Sequence, residues 1–575
     1  MMRHIKVRDG IGWFPLPELL ERAARLWPET PAFRIKRGGG WDSYTYREAL
    51  DLVRRLARCL VERCGLRKGD KFAVVGENRP EWPIAYMAIL WAGGIVVPLD
   101  PRLTPKERGY ILGAAKVKGV VASGKFTDEM LEHKAELPHL EHVVSMDPHP
   151  EATSYHQVWQ EYPEGADRAP LSLDDVAVIL FTSGTPGAPK GVVLTHKNIS
   201  SNVDAVYQAF DVGPEDRFYS ILPLHHVYEA TAGFLFAIAA GATINYASSL
   251  RPDVMRQEMK EVRPTLMVVV PLILEKFLLG IRKRLAKLPR GKRAAISLLK
   301  GFGKLVDVFT KGKFSKELFL KVREELGLGK ARYIVSGGAA LPRWVSKGLE
   351  EMGFPILQGY GLSEASPVVS VNPPWRPKNE SVGWPLVNCE VKIWNPNEEG
   401  VGEIAVRAPF VMQGYYENPE ATREALTPDG WLLTGDMGYI DREGYIYITG
   451  RKKAVIVTKG GKNIFPEELE EKLTASELVE EALVIGGVNP ATGEEEVQAI
   501  IFPNLELLAA KGITSEDGIY EAIDKVVREV NRNLADYKRI RRFAIRFEEF
   551  PKTTTRKIKR HLFKGMYIEP GQRSL

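Results

Sequence analysis

A chain of 575 residues, 44% hydrophobic and 26% charged, has the balance of a soluble globular protein, and its length calls for a large domain plus at least one smaller one. The net charge of +6 is modest, and three cysteines (Cys59, Cys64, Cys389) without paired metal-ligand spacing speak against a disulfide framework. No apolar run reaches the ~18 residues needed to span a bilayer, and the first residues carry no apolar signal core, so the expected compartment is the cytoplasm.

The first part of the chain alternates helical and strand patterns. Apolar residues recur at helical spacing over 46–64, a strand is expected at 72–75 and a turn at 76–80. A helix at 81–92 and a strand at 94–99 follow. Strands alternating with helices imply an open α/β layer architecture. The apolar run 176–180 reads as a buried strand. It leads into Phe181-Thr182-Ser183-Gly184-Thr185-Pro186-Gly187-Ala188-Pro189-Lys190-Gly191-Val192, and a helical segment begins near Thr195 and runs to about Phe210. This places a loop dense in Gly, Ser, Thr and Pro between a strand and a helix. Such a loop can turn several N–H groups inward as an anion nest, with hydroxyls and Lys190 added. The spacing does not fit G-x-x-x-x-G-K-[ST], so this is a different kind of phosphate loop.

The stretch resembles the T-S-G-T-T-G-x-P-K-G-V signature of the adenylate-forming superfamily of AMP-binding enzymes, with Pro186 where the family has Thr. The resemblance implies that Thr182, Ser183, Gly184, Thr185 and Lys190 contact ATP, and that Thr185 joins in holding Mg2+. Later segments are similar to the family in the same order. Leu222-Pro223-Leu224-His225-His226-Val227-Tyr228-Glu229 resembles a segment of the long-chain branch, where His226 matches a residue bordering the acyl and phosphate sites. Val335-Ser336-Gly337-Gly338-Ala339-Ala340 is a small-residue turn that lets backbone approach a flat ring, and the family sets Gly337 to Ala340 against adenine. Gln358-Gly359-Tyr360-Gly361-Leu362-Ser363-Glu364 resembles Y-G-x-T-E, with Ser363 for Thr. By resemblance Gln358, Gly359, Tyr360, Gly361 and Ser363 belong to the nucleotide site, and Glu364 holds Mg2+, an ion that takes oxygen ligands and keeps several waters.

The strand-rich stretch 383–450 suits a small β subdomain. It contains Thr434-Gly435-Asp436, whose carboxylate is implied to accept the ribose hydroxyls. The expected domain boundary falls at 450/451. Residues 1–450 then form the AMP-binding domain with ATP and acyl sites, and 451–575 a mobile α+β domain. Arg451 matches the arginine that contacts ribose or phosphate, and Lys453 stands at the hinge. A strand is expected at 454–458, a turn at 459–464 that brings Gly461 to the coenzyme A channel, and a helix from Pro466. The ending Pro551-Lys552-Thr553-Thr554-Thr555-Arg556-Lys557-Ile558-Lys559-Arg560 resembles P-K-T-x-[ST]-G-K-I-x-R, with Arg556 for Gly. Spacing assigns Lys557 as the catalytic lysine, with Lys559 nearby.

The implied activity is that of a long-chain fatty acid–CoA ligase, using ATP, Mg2+ and coenzyme A, with Lys557, Thr185, Glu364 and His226 as catalytic groups. A medium-chain or aryl acid ligase, and a noncatalytic acyl-nucleotide or lipid-binding protein, are the alternatives. The stretch 282–316 is strongly basic and interleaved with apolar residues. It suits either a solvated helix face or peripheral contact with the inner face of an anionic membrane. No recognisable nucleic-acid signature accompanies the charge. Acyl chain length and oligomeric state are not readable.

Overall fold

The structure is a computed structural model and describes residues 3–182, 189–287, 289, 317, 319–457, 463–490, 493, 495–552 and 558–575. Contacts divide it into two compact units. The first comprises Met1–Val391, Val406–Leu433 and Asp441–Ile446; the second comprises Lys392–Ala405, Thr434–Ile440 and Tyr447–Leu575.

The first unit is built on two large sheets. One has eight strands in the order Gly414–Tyr415, Lys190–Thr195, Val176–Thr182, Ile95–Leu99, Lys71–Val75, Gly119–Ala122, His142–Ser145, Thr153–Ser154. From Val176–Thr182 to Thr153–Ser154 the pairing is parallel, as crossover helices require. The other has nine strands, with a parallel centre of Ile356–Gly361, Tyr333–Ser336, Leu266–Val269, Arg217–Ser220, Thr243–Tyr246 and Pro31–Arg37.

The helices form where local sequence and burial agree. Tyr46–Glu62 starts at a capping box in which Thr45 accepts from the Glu48 N–H and Glu48 reaches back, and it buries Ala49, Val53, Leu56 and Leu60 on one face. Glu81–Trp91 is buried at every position, which explains why its sequence is apolar all round.

One sequence expectation is corrected here. The glycine-rich loop does not run directly into a helix: Lys190–Thr195 is first a strand, antiparallel to Val176–Thr182. The apolar run Val192-Val193-Leu194 packs there as a strand, and Thr195 then caps the helix His196–Ala209.

The second unit takes most residues of a four-stranded sheet (Glu390–Trp394, Gly402–Arg407, Leu432–Ile440, Ile446–Arg451). Its three-stranded sheet, Val479–Val488, Glu495–Pro503 and Arg542–Ile545, packs with helices Pro466–Thr474 and Glu516–Arg532 around Leu469, Val484, Ala499, Ile523 and Phe543. Of the strand expected at 454–458, Ile456–Val457 is strand, Thr458 lies outside the described residues, and residues 452–454 form a tight helical turn. Among the described residues no helix is long and apolar enough to cross a membrane.

Candidate active site

Thr185, Ser183, Gly184, Lys557 and Gly461 lie outside the described residues, as do Pro186, Arg556 and most of the basic stretch 282–316. The flanks of the glycine-rich loop are described. Thr182 ends one strand and Lys190 opens the next, paired in register, and the Thr182 hydroxyl donates to the Lys190 carbonyl at 3.4 Å. The Lys190 ammonium stands 5.1 Å from the centroid of the Tyr415 ring. The Tyr415 hydroxyl donates to Glu364 Oε1 at 2.8 Å, and burial, reinforced by the Glu364 charge, raises that phenol above its ordinary value. Lys190 and Glu364 thus meet through Tyr415, a residue the sequence reading did not single out.

Glu364 lies on the tight helical turn Ser363–Ala365, fixed by the Met412 N–H donating to the Glu364 carbonyl at 2.8 Å. A half-buried carboxylate on a rigid turn fits the oxygen-ligand chemistry of Mg2+ carried by a polyphosphate.

The turn after Tyr333–Ser336 is shaped by lack of side chains. At Gly337 a Cβ would come within 2.9 Å of the Tyr228 ring, whose hydroxyl donates to the Val335 carbonyl at 3.1 Å. Gly338 has φ +80°, a conformation natural to glycine, and Gly338, Ala339 and Ala340 are exposed. On the adjacent strand Gln358 and Tyr360 are buried, Gly359 and Ser363 half-buried, and a Cβ at Gly361 would collide with the Pro367 carbonyl. Tyr360 is 8% exposed.

His226 is half-buried, its Nε2 3.4 Å from the Arg102 guanidinium. Its neighbour His225 is buried, with Nε2 3.3 Å from Asp100 Oδ2, and Arg102 Nε is 3.2 Å from Asp100 Oδ1. Burial alone would raise the Asp100 carboxyl, but His225 and Arg102 hold it well below the carboxylate range. His225 is pushed down by burial, against the pull of Asp100. Asp100, His225 and His226 bring possible metal-binding atoms within 4.8 Å of one another, yet Arg102 already supplies the positive charge there. Asp100 and Arg102 were missed in the sequence. The signal was their position just beyond a parallel strand's carboxyl end, where α/β sheets place ligands.

A narrow apolar cavity adjoins this cluster, lined among others by Tyr86, Val178, Leu194, Leu224, His225 and Ala230. Its wall includes part of the π-helix Glu229–Leu235, whose first residue is a fully buried acid. Ser220 donates to Glu229 Oε1 at 2.6 Å, and burial raises the carboxyl to about 8 against that single hydrogen bond. The folded state holds this proton more tightly than the unfolded chain. Its stabilising effect is therefore complete below the unfolded pKa near 4.5 and is lost as pH rises through about 8. Melting temperatures of Glu229→Gln against wild type should show a smaller decline from pH 5 to 8 in the variant; parallel declines would contradict the assignment.

In the second unit, Asp436 and Arg451 lie on neighbouring strands, with Arg451 Nε 2.8 Å from Asp436 Oδ1. Asp436 is 5% exposed, its backbone N–H donating to Thr434. Gly435 (φ +72°) donates its N–H to Glu403 Oε1, and Lys452 pairs with Glu403 Oε2 at 2.7 Å. Lys453 is exposed on the turn Lys452–Ala454.

Alternating α/β sheets, a glycine-rich loop between paired strands and a carboxylate–lysine cluster define a nucleotide-dependent enzyme class, and comparison with known proteins agrees. The model of the AMP-binding enzyme family matches residues 20–416, and that of the AMP-binding enzyme C-terminal domain matches 453–569. A long-chain-fatty-acid–CoA ligase of Bacillus subtilis (strain 168) is 32% identical over 557 residues, covering 90% of this chain and 89% of that protein. The mouse long-chain-fatty-acid–CoA ligase ACSBG2 is 30% identical over 509 residues, covering 82% and 75%. Among solved structures, the anthranilate CoA ligase AuaEII in complex with anthranoyl-AMP superposes with a TM-score of 0.77 at 22% identity, covering 96% of each chain. The chain belongs to the AMP-binding enzyme family, within its AMP-forming acyl-CoA synthetases, for which ATP and coenzyme A are substrates and Mg2+ is typical.

Proposed function

We propose that the chain is a long-chain fatty acid–CoA ligase. A fatty carboxylate attacks the α-phosphorus of ATP, forming acyl-adenylate and releasing pyrophosphate; the thiol of coenzyme A then displaces AMP. The sequence likeness to acyl-CoA ligases over most of both chains carries this reading. The long-chain names of the relatives support it. A carboxylic acid with pKa around 4–5 is already ionised near pH 7, so the attack needs no general base. The obstacle is the approach of an anion to a polyanion, and cations with preorganised donors lower it.

In this reading Lys190 and the loop from Thr182 through Ser183 and Gly184 hold the phosphates. Glu364 and Thr185 would hold Mg2+, which when bound neutralises phosphate charge. Gly337, Gly338, Ala339, Ala340, Gln358, Gly359, Tyr360, Gly361 and Ser363 surround adenine. Asp436 and Arg451 serve the ribose, and His226, steadied by Arg102, borders the reacting carboxylate. Residues 451–575 act as the moving domain. Lys453 is the hinge, Lys557 serves adenylation and Gly461 serves coenzyme A. The basic stretch 282–316 is the contact with an anionic membrane surface.

The second reading is an aryl or medium-chain acid ligase, the anthranilate CoA ligase being a neighbour of the same fold. The deciding measurement is AMP release with Mg2+ and coenzyme A across acids from acetate to oleate, with benzoate. A peak at palmitate or oleate is expected; a peak at benzoate or a short acid keeps the enzyme class and overturns the substrate.

A further inference from the structure

Helix Pro466–Thr474 of the second unit carries an acid with no role in the reading above. Glu470 is largely enclosed, its side chain 15% exposed, and Oε1 accepts the Val484 N–H at 2.7 Å. Oε2 is paired with Arg560 Nη2, while Arg560 Nη1 donates to the Val484 carbonyl at 3.3 Å. Glu470, the Val484 peptide and Arg560 therefore close a ring that ties the turn Arg560–Phe563 to both the helix and strand Val479–Val488. Among the described residues, the charged groups facing Glu470 are Arg560 and, from its own helix, Glu467, which lies 3.8 Å from the same guanidinium nitrogen.

Arg560 stands three residues after Lys557 in the chain. The other side of that segment is anchored as well. Lys552 pairs with Glu481 at 2.5 Å and with Glu549 at 3.3 Å, Lys552 and Ile558 form an isolated antiparallel bridge, and the Lys559 N–H donates to the Pro551 carbonyl at 2.8 Å. Phe550 and Phe563 pack edge to face in the core below, with Leu483 and Ile500. Both anchors converge on one strand, through Glu481 and Val484.

We propose that Glu470 is a positioning residue for adenylation: with Val484 it holds Arg560, and through Arg560 it fixes the far end of the segment that carries Lys557. This rests on the reading of Lys557 as the adenylation lysine. Glu470 touches no substrate in this scheme; it acts through the arginine. A charge-assisted pair in an enclosed site is strong and directional, and cutting one partner leaves the other charged group without its match. A misplacement of a catalytic group by about 1 Å costs on the order of 10²-fold in rate, so a loosened anchor three residues away reaches the reaction.

The pair also gives the step a pH signature. Burial raises the Glu470 carboxyl to about 7, against Arg560 and the Val484 N–H, which favour the anion. The anion grips Arg560, so the anchor strengthens as pH rises through about 7 and weakens below it.

The test uses the full chain, with Glu470→Gln and Arg560→Lys measured beside Lys557→Ala. Two steps are read separately: pyrophosphate release with palmitate and ATP but no coenzyme A, and thiolysis of supplied palmitoyl-adenylate by coenzyme A. Glu470→Gln is expected to slow adenylation about tenfold or more, keep thiolysis within about twofold, and lose the rise of adenylation between about pH 6 and 8. Arg560→Lys, which keeps the charge but not the two-pronged geometry, should slow adenylation in the same selective way. Equal losses in both steps for both variants would make the pair merely structural and overturn the proposal, as would a Glu470→Gln enzyme with wild-type adenylation and pH profile. If Lys557→Ala abolishes adenylation while Glu470→Gln does not, the anchor alone fails. If Lys557→Ala adenylates normally, the lysine assignment fails and the anchor's role with it.

Discussion

Alanine at position 557 is expected to slow acyl-adenylate formation by about 10²–10³-fold, while thiolysis of supplied acyl-adenylate stays within about twofold of wild type. In the proposed reaction the carboxylate is already an anion and meets ATP, so the barrier is dominated by charge. An ammonium aimed at the charge developing on the transferring phosphate lowers that barrier and does nothing comparable for attack by a thiol on an acyl-adenylate. Lys190 and Arg451 remain in the variant, which is why the loss is that of one preorganised donor and not of the whole field. Lys559, two residues on, serves as the control: Lys559→Ala should adenylate at close to the wild-type rate. Single-turnover pyrophosphate release and coenzyme A-dependent thiolysis, measured separately, decide the matter. Equal loss in both steps would refute the division of labour, and a large loss in Lys559→Ala alone would move the assignment by two residues.

Glutamine at position 364 is expected to have the second large effect. The turn Ser363–Ala365 is held by Met412, and Glu364 Oε1 accepts the Tyr415 hydroxyl at 2.8 Å. Glutamine keeps the length of the side chain and one oxygen for Tyr415, so the cluster should remain packed while its negative charge is lost. Adenylation should fall by about 10²–10³-fold, and the Mg2+ needed for half-maximal rate should rise by about tenfold or more. Tyr415→Phe removes only the hydroxyl that orients the carboxylate and should shift the Mg2+ requirement about tenfold in the same direction. An unchanged Mg2+ titration in Glu364→Gln would remove this carboxylate from the metal site.

Much of the proposed site could be read in the sequence because its segments are contiguous and their chemistry depends on local residue type. The loop 181–192, the Gly337–Ala340 turn and the Gln358–Glu364 segment each carry small residues and hydroxyls, or a carboxylate, at fixed short spacing. The Cβ collisions at Gly337 and Gly361 show why side chains are excluded there. The amphipathic helix at 46–64 was equally plain, since both its capping box and its buried face are written locally. The strand Lys190–Thr195 was missed because its first residues were counted to the glycine-rich loop, and a short apolar run shows itself as a strand only when its partner is found.

What only the tertiary structure decided are the pairs made by distant residues. Tyr415 reaches Glu364 across 51 positions, Arg560 reaches Glu470 across 90, and Asp100 meets His225 from a different strand end. No local rule brings these together: each pair exists because sheet order and core packing carry two remote segments to one place, where enclosure makes a partner necessary and strengthens the bond it forms. The sequence by itself pointed to the reaction class, through short motifs that resemble those of the AMP-binding enzymes and whose backbone needs are met within a few residues. The fold determined which side chains hold those motifs in position, because that depends on packing summed over the whole unit.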